Sequence, residues 1–150
     1  SAARAHLAAG EPDKALVKLA SAEKLEPASG EVLTVRGSTL EQQGRTAEAM
    51  AAYEGAIRIN ASDPACRVRL ASLAMDLKQY AKAKEQFSTL LRLNYRPSRM
   101  HFGLGQAAEA LGDRANAAAE YREASRLEPG FALARENAER LGTQTGPARK

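Results

Sequence analysis

The chain has no tryptophan, three phenylalanines and four tyrosines among its 150 residues, so large aromatic side chains are scarce. Its one cysteine, Cys66, excludes an intramolecular disulfide. Its two histidines, His6 and His101, have no second histidine or cysteine at ligand spacing. A zinc site therefore has no support in the sequence, and we expect neither a metal nor a cofactor.

Long apolar runs are also absent. None approaches the roughly 18 residues that a membrane-spanning helix needs, which argues against membrane insertion. No basic-then-apolar signal segment opens the chain. It begins at Ser1 inside a helical pattern, so we expect a fragment or a processed product. Without a membrane-spanning or signal segment we expect a soluble protein, and the sequence does not choose between a bacterial cytoplasm and periplasm.

Neither sign of charge dominates. The 22 basic residues exceed the 18 acidic ones by a small margin, which gives a net charge of +4. We interpret this excess as too diffuse to indicate a nucleic-acid partner. RNA binding by helical repeats needs a basic stripe with stacking aromatics, whereas the basic residues here are expected to be interleaved with acidic ones.

What the sequence does have is a repeated helical pattern, clearest between Met100 and Pro129. Apolar or small residues recur there at three- and four-residue steps on both sides of Leu111-Gly112-Asp113. That spacing predicts two amphipathic helices joined by a glycine turn, which makes an antiparallel pair.

The same unit recurs with a period of 34 residues. The turn residue Gly112 has counterparts at Lys78, Gly44 and Gly10. Four further columns keep the period: Ala15, Ala49, Ala83, Ala117; Leu19, Tyr53, Phe87, Tyr121; Ala22, Ala56, Leu90, Ala124; and Leu25, Ile59, Leu93, Leu127. The pattern predicts a tandem helical repeat, in which each unit packs on its neighbours.

These residues resemble the tetratricopeptide repeat family. Leu104-Gly105 matches the Leu-Gly pair of that family's first helix, and Pro129 and Pro27 match its closing proline. The family's first-helix tryptophan is replaced by Leu33, Arg67 and His101. The resemblance implies an all-α fold, a right-handed solenoid of antiparallel helix pairs, and a role in binding rather than catalysis.

We divide the chain at 1–29, 30–63, 64–97 and 98–131 into four repeats, the first truncated, followed by a capping helix at 132–141. Residues 142–150 show no periodicity and are predicted to be a disordered tail. The truncated first helix is predicted to end near Ala9. The following helices are predicted to span Asp13–Glu26, Gly30–Gln43, Thr46–Ile59, Pro64–Leu77, Tyr80–Leu93, Ser98–Leu111 and Arg114–Leu127. The turn at Lys78 lacks glycine and is predicted to be the least regular.

No catalytic constellation is evident. Gly103-Leu104-Gly105 lies inside a helical pattern and does not follow a strand, so a dinucleotide loop is not supported. Ser38 and Ser72 have no nucleophile-elbow motif around them. Cys66, His6 and His101 are interpreted as packing residues, and the chain is predicted not to be an enzyme.

The resemblance also implies a binding groove lined by the first helix of each repeat. The groove residues are predicted to be Thr34, Ser38, Glu41, Arg69, Ser72, Met75, Arg99, Phe102, Gln106 and Glu109. Val35 and Gly103 are also expected on this wall.

Two features of that wall suggest a ligand surface. Met75 and Phe102 are expected to be apolar groups facing solvent, and Arg69 and Arg99 are expected to lie close enough to hold a carboxylate. The alternative is that Met75 and Phe102 pack against the adjacent repeat. The arginines would then pair with Glu41, Asp76 or Glu109.

One subfamily binds the acidic tails of heat-shock chaperones through a clamp of Lys, Asn, Asn, Lys and Arg. This chain has Thr34, Ser38, Arg69, Arg99 and Gly103 at the matching places, and only Arg99 keeps its charge type. The comparison argues against chaperone-tail docking.

The sequence therefore predicts a non-catalytic scaffold that binds a peptide or helix of a protein partner. The abundance of alanine and arginine suggests a bacterial setting. The resemblance then implies a larger protein of an assembly, secretion or exopolysaccharide system, in which bacterial proteins with such repeats often take part. The alternative is self-association into a homo-oligomer through the ends of the solenoid.

Overall fold

The computed structural model describes residues 2–25 and 29–143, which form helices and contain no strand. The helices are α1 (Ala2–Ala8), α2 (Pro12–Leu25), α3 (Gly30–Gln42), α4 (Thr46–Ile59), α5 (Pro64–Asp76), α6 (Tyr80–Arg92), α7 (Pro97–Ala110), α8 (Arg114–Leu127) and α9 (Ala132–Thr143). Among these residues, no helix has both the length and the apolar character needed to span a membrane. The all-α prediction is confirmed.

The helices group into two compact units, residues 1–73 and 74–150, and the boundary falls within α5. In the first unit, α2 packs against α1 and α3, and α3 packs against α4. In the second unit, α7 packs against α6 and α8, and α8 packs against α9. Successive helices joined by short turns run antiparallel.

Helix ends differ slightly from the sequence prediction. Helix α7 begins at Pro97, whose missing N–H is tolerated in a first turn, and it ends one residue earlier than predicted. Helix α9 includes Gly142 and Thr143, which the sequence analysis assigned to the tail. The rest of that tail, together with Glu26 and Pro27, lies outside the described residues.

Close packing between the two helices of a pair depends on alanine. The four residues of one predicted column, Ala15, Ala49, Ala83 and Ala117, are all completely buried. A methyl side chain lets the neighbouring backbone approach while still contributing apolar contact. The column of Leu25, Ile59, Leu93 and Leu127 keeps the same period but remains 84%, 50%, 43% and 39% exposed.

Glycines in the first helices lie directly against buried aromatic rings. A Cβ on Gly37 would stand 2.8 Å from the Tyr53 ring, and a Cβ on Gly105 would stand 2.7 Å from the Tyr121 ring. Gly103 is buried against the Phe87 ring in the same way. The expectation that Gly103 lies on an open wall is therefore wrong, because an aromatic side chain covers it.

All four turns between paired helices share one hydrogen-bonding pattern. At Gly112, the Gly112 N–H donates to the Glu109 carbonyl and the Asp113 N–H donates to the Ala108 carbonyl. Equivalent pairs of bonds close the turns at Gly10, Gly44 and Lys78. This is the Schellman arrangement, which satisfies the last carbonyls of the preceding helix.

The turn at Lys78 was expected to be the least regular, and that expectation is wrong. Lys78 adopts a φ of 58°, close to the 72° of Gly44 and the 81° of Gly112. The hydrogen bonds of the turn impose the left-handed conformation on a residue with a Cβ, for which that conformation is unfavourable. The regularity of the turn therefore comes at the expense of backbone strain at Lys78.

Replacing Lys78 by glycine should raise the free energy of unfolding by about 1 kcal/mol, because glycine adopts a positive φ without a Cβ penalty. The matched change Gly112→Ala should lower it by a similar amount, since a Cβ at Gly112 meets no atom within 4 Å and only the backbone cost remains. Urea unfolding of both variants checks this. A destabilised Lys78→Gly variant would contradict the account of the turn.

Candidate partner-binding face

In the first unit, the predicted groove residues lie on α3 and α5. Thr34, Ser38 and Glu41 follow one another at helical spacing along α3 and are half-buried, whereas Arg69 and Ser72 of α5 are exposed. Val35, also expected on the wall, is buried in a cluster with Ala3 and Leu19. Ser38, Glu41, Gln42 and Arg69 line a shallow pocket of about 330 Å³.

The hydroxyl of a buried tyrosine forms hydrogen bonds with two of these residues. The Tyr53 hydroxyl donates to Glu41 Oε2 at 2.9 Å and lies 3.1 Å from the Ser38 hydroxyl oxygen. Burial raises the pKa of Tyr53, so the phenol stays protonated at neutral pH and remains a donor. The orientation of the Glu41 carboxylate is thereby fixed.

Glu41 in turn binds Arg69. The Arg69 Nε donates to Glu41 Oε2 at 3.2 Å, and Nη2 donates to Oε1, so the pair is bidentate. The Arg69 side chain nevertheless remains 52% exposed. One buried hydroxyl therefore positions a carboxylate, and the carboxylate positions a guanidinium group whose outer edge faces solvent.

The second unit contains the same network two repeats later. The Tyr121 hydroxyl donates to Glu109 Oε2 at 3.0 Å, and Arg140 of α9 contacts Glu109 Oε1 at 2.6 Å through Nη1. The hydrogen bond from Arg140 lowers the pKa of Glu109, and the bond from Tyr121 adds to it against the opposing effect of burial. Burial and the neighbouring carboxylate raise the pKa of Tyr121.

The first and third repeats replace the network with apolar pairs. Met75 and Phe87 occupy the positions of Glu41 and Tyr53 in the third repeat, and Leu7 and Leu19 occupy them in the first. A carboxylate is therefore present only where the aromatic ring carries a hydroxyl. This follows from the cost of burying a hydroxyl without an acceptor. Comparison of the two columns would have revealed the pairing, which the sequence analysis missed.

The other predicted residues of the second unit lie on α7, apart from Met75 near the end of α5. Phe102 is half-buried, with its ring centroid 5.3 Å from that of Tyr121 and 4.7 Å from that of Phe131. Phe102 thus packs partly against two rings of its own repeat, which neither the open-wall prediction nor the adjacent-repeat alternative described. Met75 is half-buried as well, and Gln106 is exposed.

Arg99 has partners that the sequence analysis did not identify. Its guanidinium lies 4.3 Å over the Phe131 ring and 3.7 Å from Glu128. Arg69 pairs with Glu41, as one of the alternatives proposed. The joint binding of a carboxylate by Arg69 and Arg99 stays a prediction, because these residues belong to different units.

The residues considered for catalysis have structural partners. Cys66 is buried 3.2 Å from the Thr34 hydroxyl, and burial raises its pKa to about 11, so the thiolate nucleophile is disfavoured at neutral pH. His101 Nδ1 lies 2.6 Å from Glu120 Oε2, and His6 Nδ1 lies 2.8 Å from Glu11 Oε2. Within residues 2–25 and 29–143, no three histidine, cysteine, aspartate or glutamate side chains converge as metal ligands.

Comparisons with known proteins agree with the repeat period. The tetratricopeptide repeat model matches residues 1–64 and 68–130. The human tetratricopeptide repeat protein 7B is 30% identical over 127 residues, which cover 85% of this chain and 15% of that protein's length. The chain thus spans only a small part of this curated relative.

Similar solved structures share the fold. A crystal structure of MamA superimposes with a TM-score of 0.87 at 18% identity, covering 97% of this chain and 85% of the other. YrrB, described as a tetratricopeptide repeat protein with an unusual peptide-binding site, superimposes with a TM-score of 0.82 at 20% identity. That match covers 95% of this chain and 73% of YrrB.

The network in the second unit predicts a measurable coupling. Glu109→Met should leave the buried Tyr121 hydroxyl without its acceptor, whereas Glu109→Met with Tyr121→Phe reproduces the apolar pair of the third repeat. A double-mutant cycle should therefore give a coupling energy of about 1–2 kcal/mol in urea unfolding. Loss of the Arg140 pairing occurs on both arms of the cycle and cancels. Additive effects would contradict the hydrogen-bond account.

The same carboxylate predicts a pH dependence. The folded protein holds the pKa of Glu109 below its ordinary value of 4.5. Ionised Glu109 therefore makes its full contribution to the free energy of unfolding above pH 4.5, and this contribution is lost as the pH falls through the lowered pKa of the folded state. Stability measured against pH should therefore fall less steeply on the acid side for Glu109→Gln than for the parent chain. Parallel curves would show that Glu109 contributes nothing to acid sensitivity.

Proposed function

Since the chain belongs to the tetratricopeptide repeat family, we propose that it is a non-catalytic scaffold that binds an extended peptide segment of a protein partner. The proposed contact residues lie on α3 and α5 in the first unit, and on α7 and the capping helix α9 in the second. Proteins of this family generally act as binding scaffolds, and YrrB is described as having a peptide-binding site.

The observation that carries the proposal is the pair of fixed arginines. Arg69 and Arg140 are each held by both oxygens of a glutamate and still have 52% and 44% of their side chains exposed. A donor that is already ordered loses little conformational entropy when a ligand binds. Such donors suit the carbonyl oxygens of a peptide backbone, which need hydrogen bonds but no countercharge.

The neighbouring side chains have matching chemistry. Ser72 and Gln106 occupy equivalent positions in successive repeats and are exposed. Met75 and Phe102 are half-buried, so part of each apolar surface is accessible to a ligand side chain. Because glutamates neutralise Arg69 and Arg140, we infer that these helices bind polar and apolar peptide groups rather than a strongly acidic tail.

The wider setting is a further proposal. An alanine- and arginine-rich composition favours a bacterial origin, and the family resemblance then suggests an assembly, secretion or exopolysaccharide system, because bacterial proteins with such repeats often serve there. Self-association is the second candidate function, and it is supported by the exposure of Ile59 and Leu25 in the first unit and of Leu93 and Leu127 in the second. Light scattering at two protein concentrations would distinguish a homo-oligomer from a monomeric scaffold.

A selection experiment tests peptide binding. Peptides chosen from a random display library against the parent chain should bind Ser72→Tyr/Gln106→Tyr at least about 10-fold more weakly, because bulky neutral side chains block the first helices. The control variant Ala51→Tyr/Ala119→Tyr places the same side chains at exposed positions of α4 and α8. It should keep the parent affinity, as measured by fluorescence anisotropy.

Circular dichroism should first establish equal helicity in both variants. Equal weakening by the two variants would contradict a site on the first helices, and failure to select any peptide would contradict the proposed function.

A further inference from the structure

Positive charge is concentrated in one stretch of the second unit. Residues 77–108 contain six lysines and arginines and one acidic residue, Glu85, so their net charge of +5 exceeds the +4 of the whole chain. Residues 1–73 contain nine basic and nine acidic residues and are neutral. The expectation of basic residues interleaved with acidic ones is therefore wrong for this stretch.

The six cations follow α6 and continue into α7. We call them the basic segment: Lys78, Lys82, Lys84, Arg92, Arg96 and Arg99. Lys84, Ser88 and Arg92 are spaced four residues apart and lie along one line of α6. Arg92, Arg96 and Arg99 are exposed. Glu128 approaches Arg99 at 3.7 Å, and Asp76 and Glu85 are the acidic residues nearest in sequence.

Exposed leucines flank α6. Leu77 is 40% exposed before the helix and Leu93 is 43% exposed after it. At 1.5 Å per helical residue, α6 is about 18 Å long from Tyr80 to Arg92. An extended peptide covers that distance with about six residues. Lys84 and Arg92 on α6, with an exposed apolar side chain just beyond each end of the helix, therefore define a surface of peptide length.

We propose that the basic segment binds an acidic segment of a partner protein that carries an apolar residue near each end. The acidic segment would be a second contact, in addition to the peptide bound by the first helices. The proposal rests on the proposed function only in assuming that the partner is a protein. Coulomb attraction brings the acidic segment to α6, and contact with Leu77 and Leu93 sets its register.

The aromatic residues of the stretch favour a protein over a single-stranded nucleic acid. Nucleic-acid bases need open ring faces on which to stack. Phe87 is buried, Tyr80 is half-buried, and the Arg96 guanidinium lies 5.7 Å from the centroid of the Tyr95 ring. The line of Lys84, Ser88 and Arg92 is polar throughout, which differs from the apolar face that a membrane-surface helix inserts into lipid.

The test uses a labelled peptide of about ten residues, made of glutamate and aspartate with a leucine near each end. Its affinity for the whole chain is measured by anisotropy at about 0.15 M salt, where long-range attraction is screened. Lys84→Gln/Arg92→Gln/Arg96→Gln should bind it at least about 10-fold more weakly. The control Lys18→Gln/Arg114→Gln/Arg122→Gln removes the same charge from exposed positions elsewhere and should bind within about twofold of the parent.

Other outcomes overturn the proposal. Equal loss in the two variants would assign the binding to overall net charge. Tighter binding of an oligothymidylate of similar length, or of phosphatidylglycerol vesicles, with the same dependence on α6 would assign the surface to nucleic acid or membrane. No binding of the acidic peptide would leave the basic segment as a solvated face. None of these results bears on peptides whose binding is blocked by Ser72→Tyr/Gln106→Tyr, so the two proposals fail separately.

Discussion

The structure depends on how closely the two helices of each repeat approach one another. Buried alanines and glycines permit that approach, and a large side chain at the Leu19, Tyr53, Phe87 and Tyr121 positions fills the space they leave. Where that side chain is tyrosine, its hydroxyl is carried into the interior and needs an acceptor. The glutamate that supplies the acceptor lies at the protein surface, and it holds an arginine there. Packing inside each unit thus determines which charged groups are fixed outside it.

The hydrogen bonds from buried tyrosine to glutamate to arginine connect the fold with the proposed function. A surface arginine on a flexible side chain loses conformational entropy when it binds a ligand, whereas Arg69 and Arg140 are already held by carboxylates. The apolar pair at Met75 and Phe87 leaves the third repeat without such a network. The repeats therefore differ chemically although they share one backbone pattern.

The 34-residue period predicted the fold well, because helical periodicity and turn residues are local properties that sequence records directly. It predicted the contacts less well. Arg69 and Arg140 bind equivalent glutamates from non-equivalent repeat positions, and Arg99 pairs with Glu128 across two helices. A long side chain can reach several neighbouring residues, so the residue type at a repeat position does not specify which residue it pairs with. At Lys78 the prediction of an irregular turn was wrong, since the local hydrogen bonds that end α5 impose a left-handed conformation that a residue with a Cβ disfavours.

The central claim is that the first helices of the repeats bind a peptide. Amide chemical-shift mapping of the labelled chain with a selected peptide tests it most directly, because every helix is observed at once. The account predicts that the largest shifts fall on α3, α5 and α7, around Ser38, Ser72 and Gln106. Large shifts confined to α4 and α8, with these three residues unchanged, would contradict it.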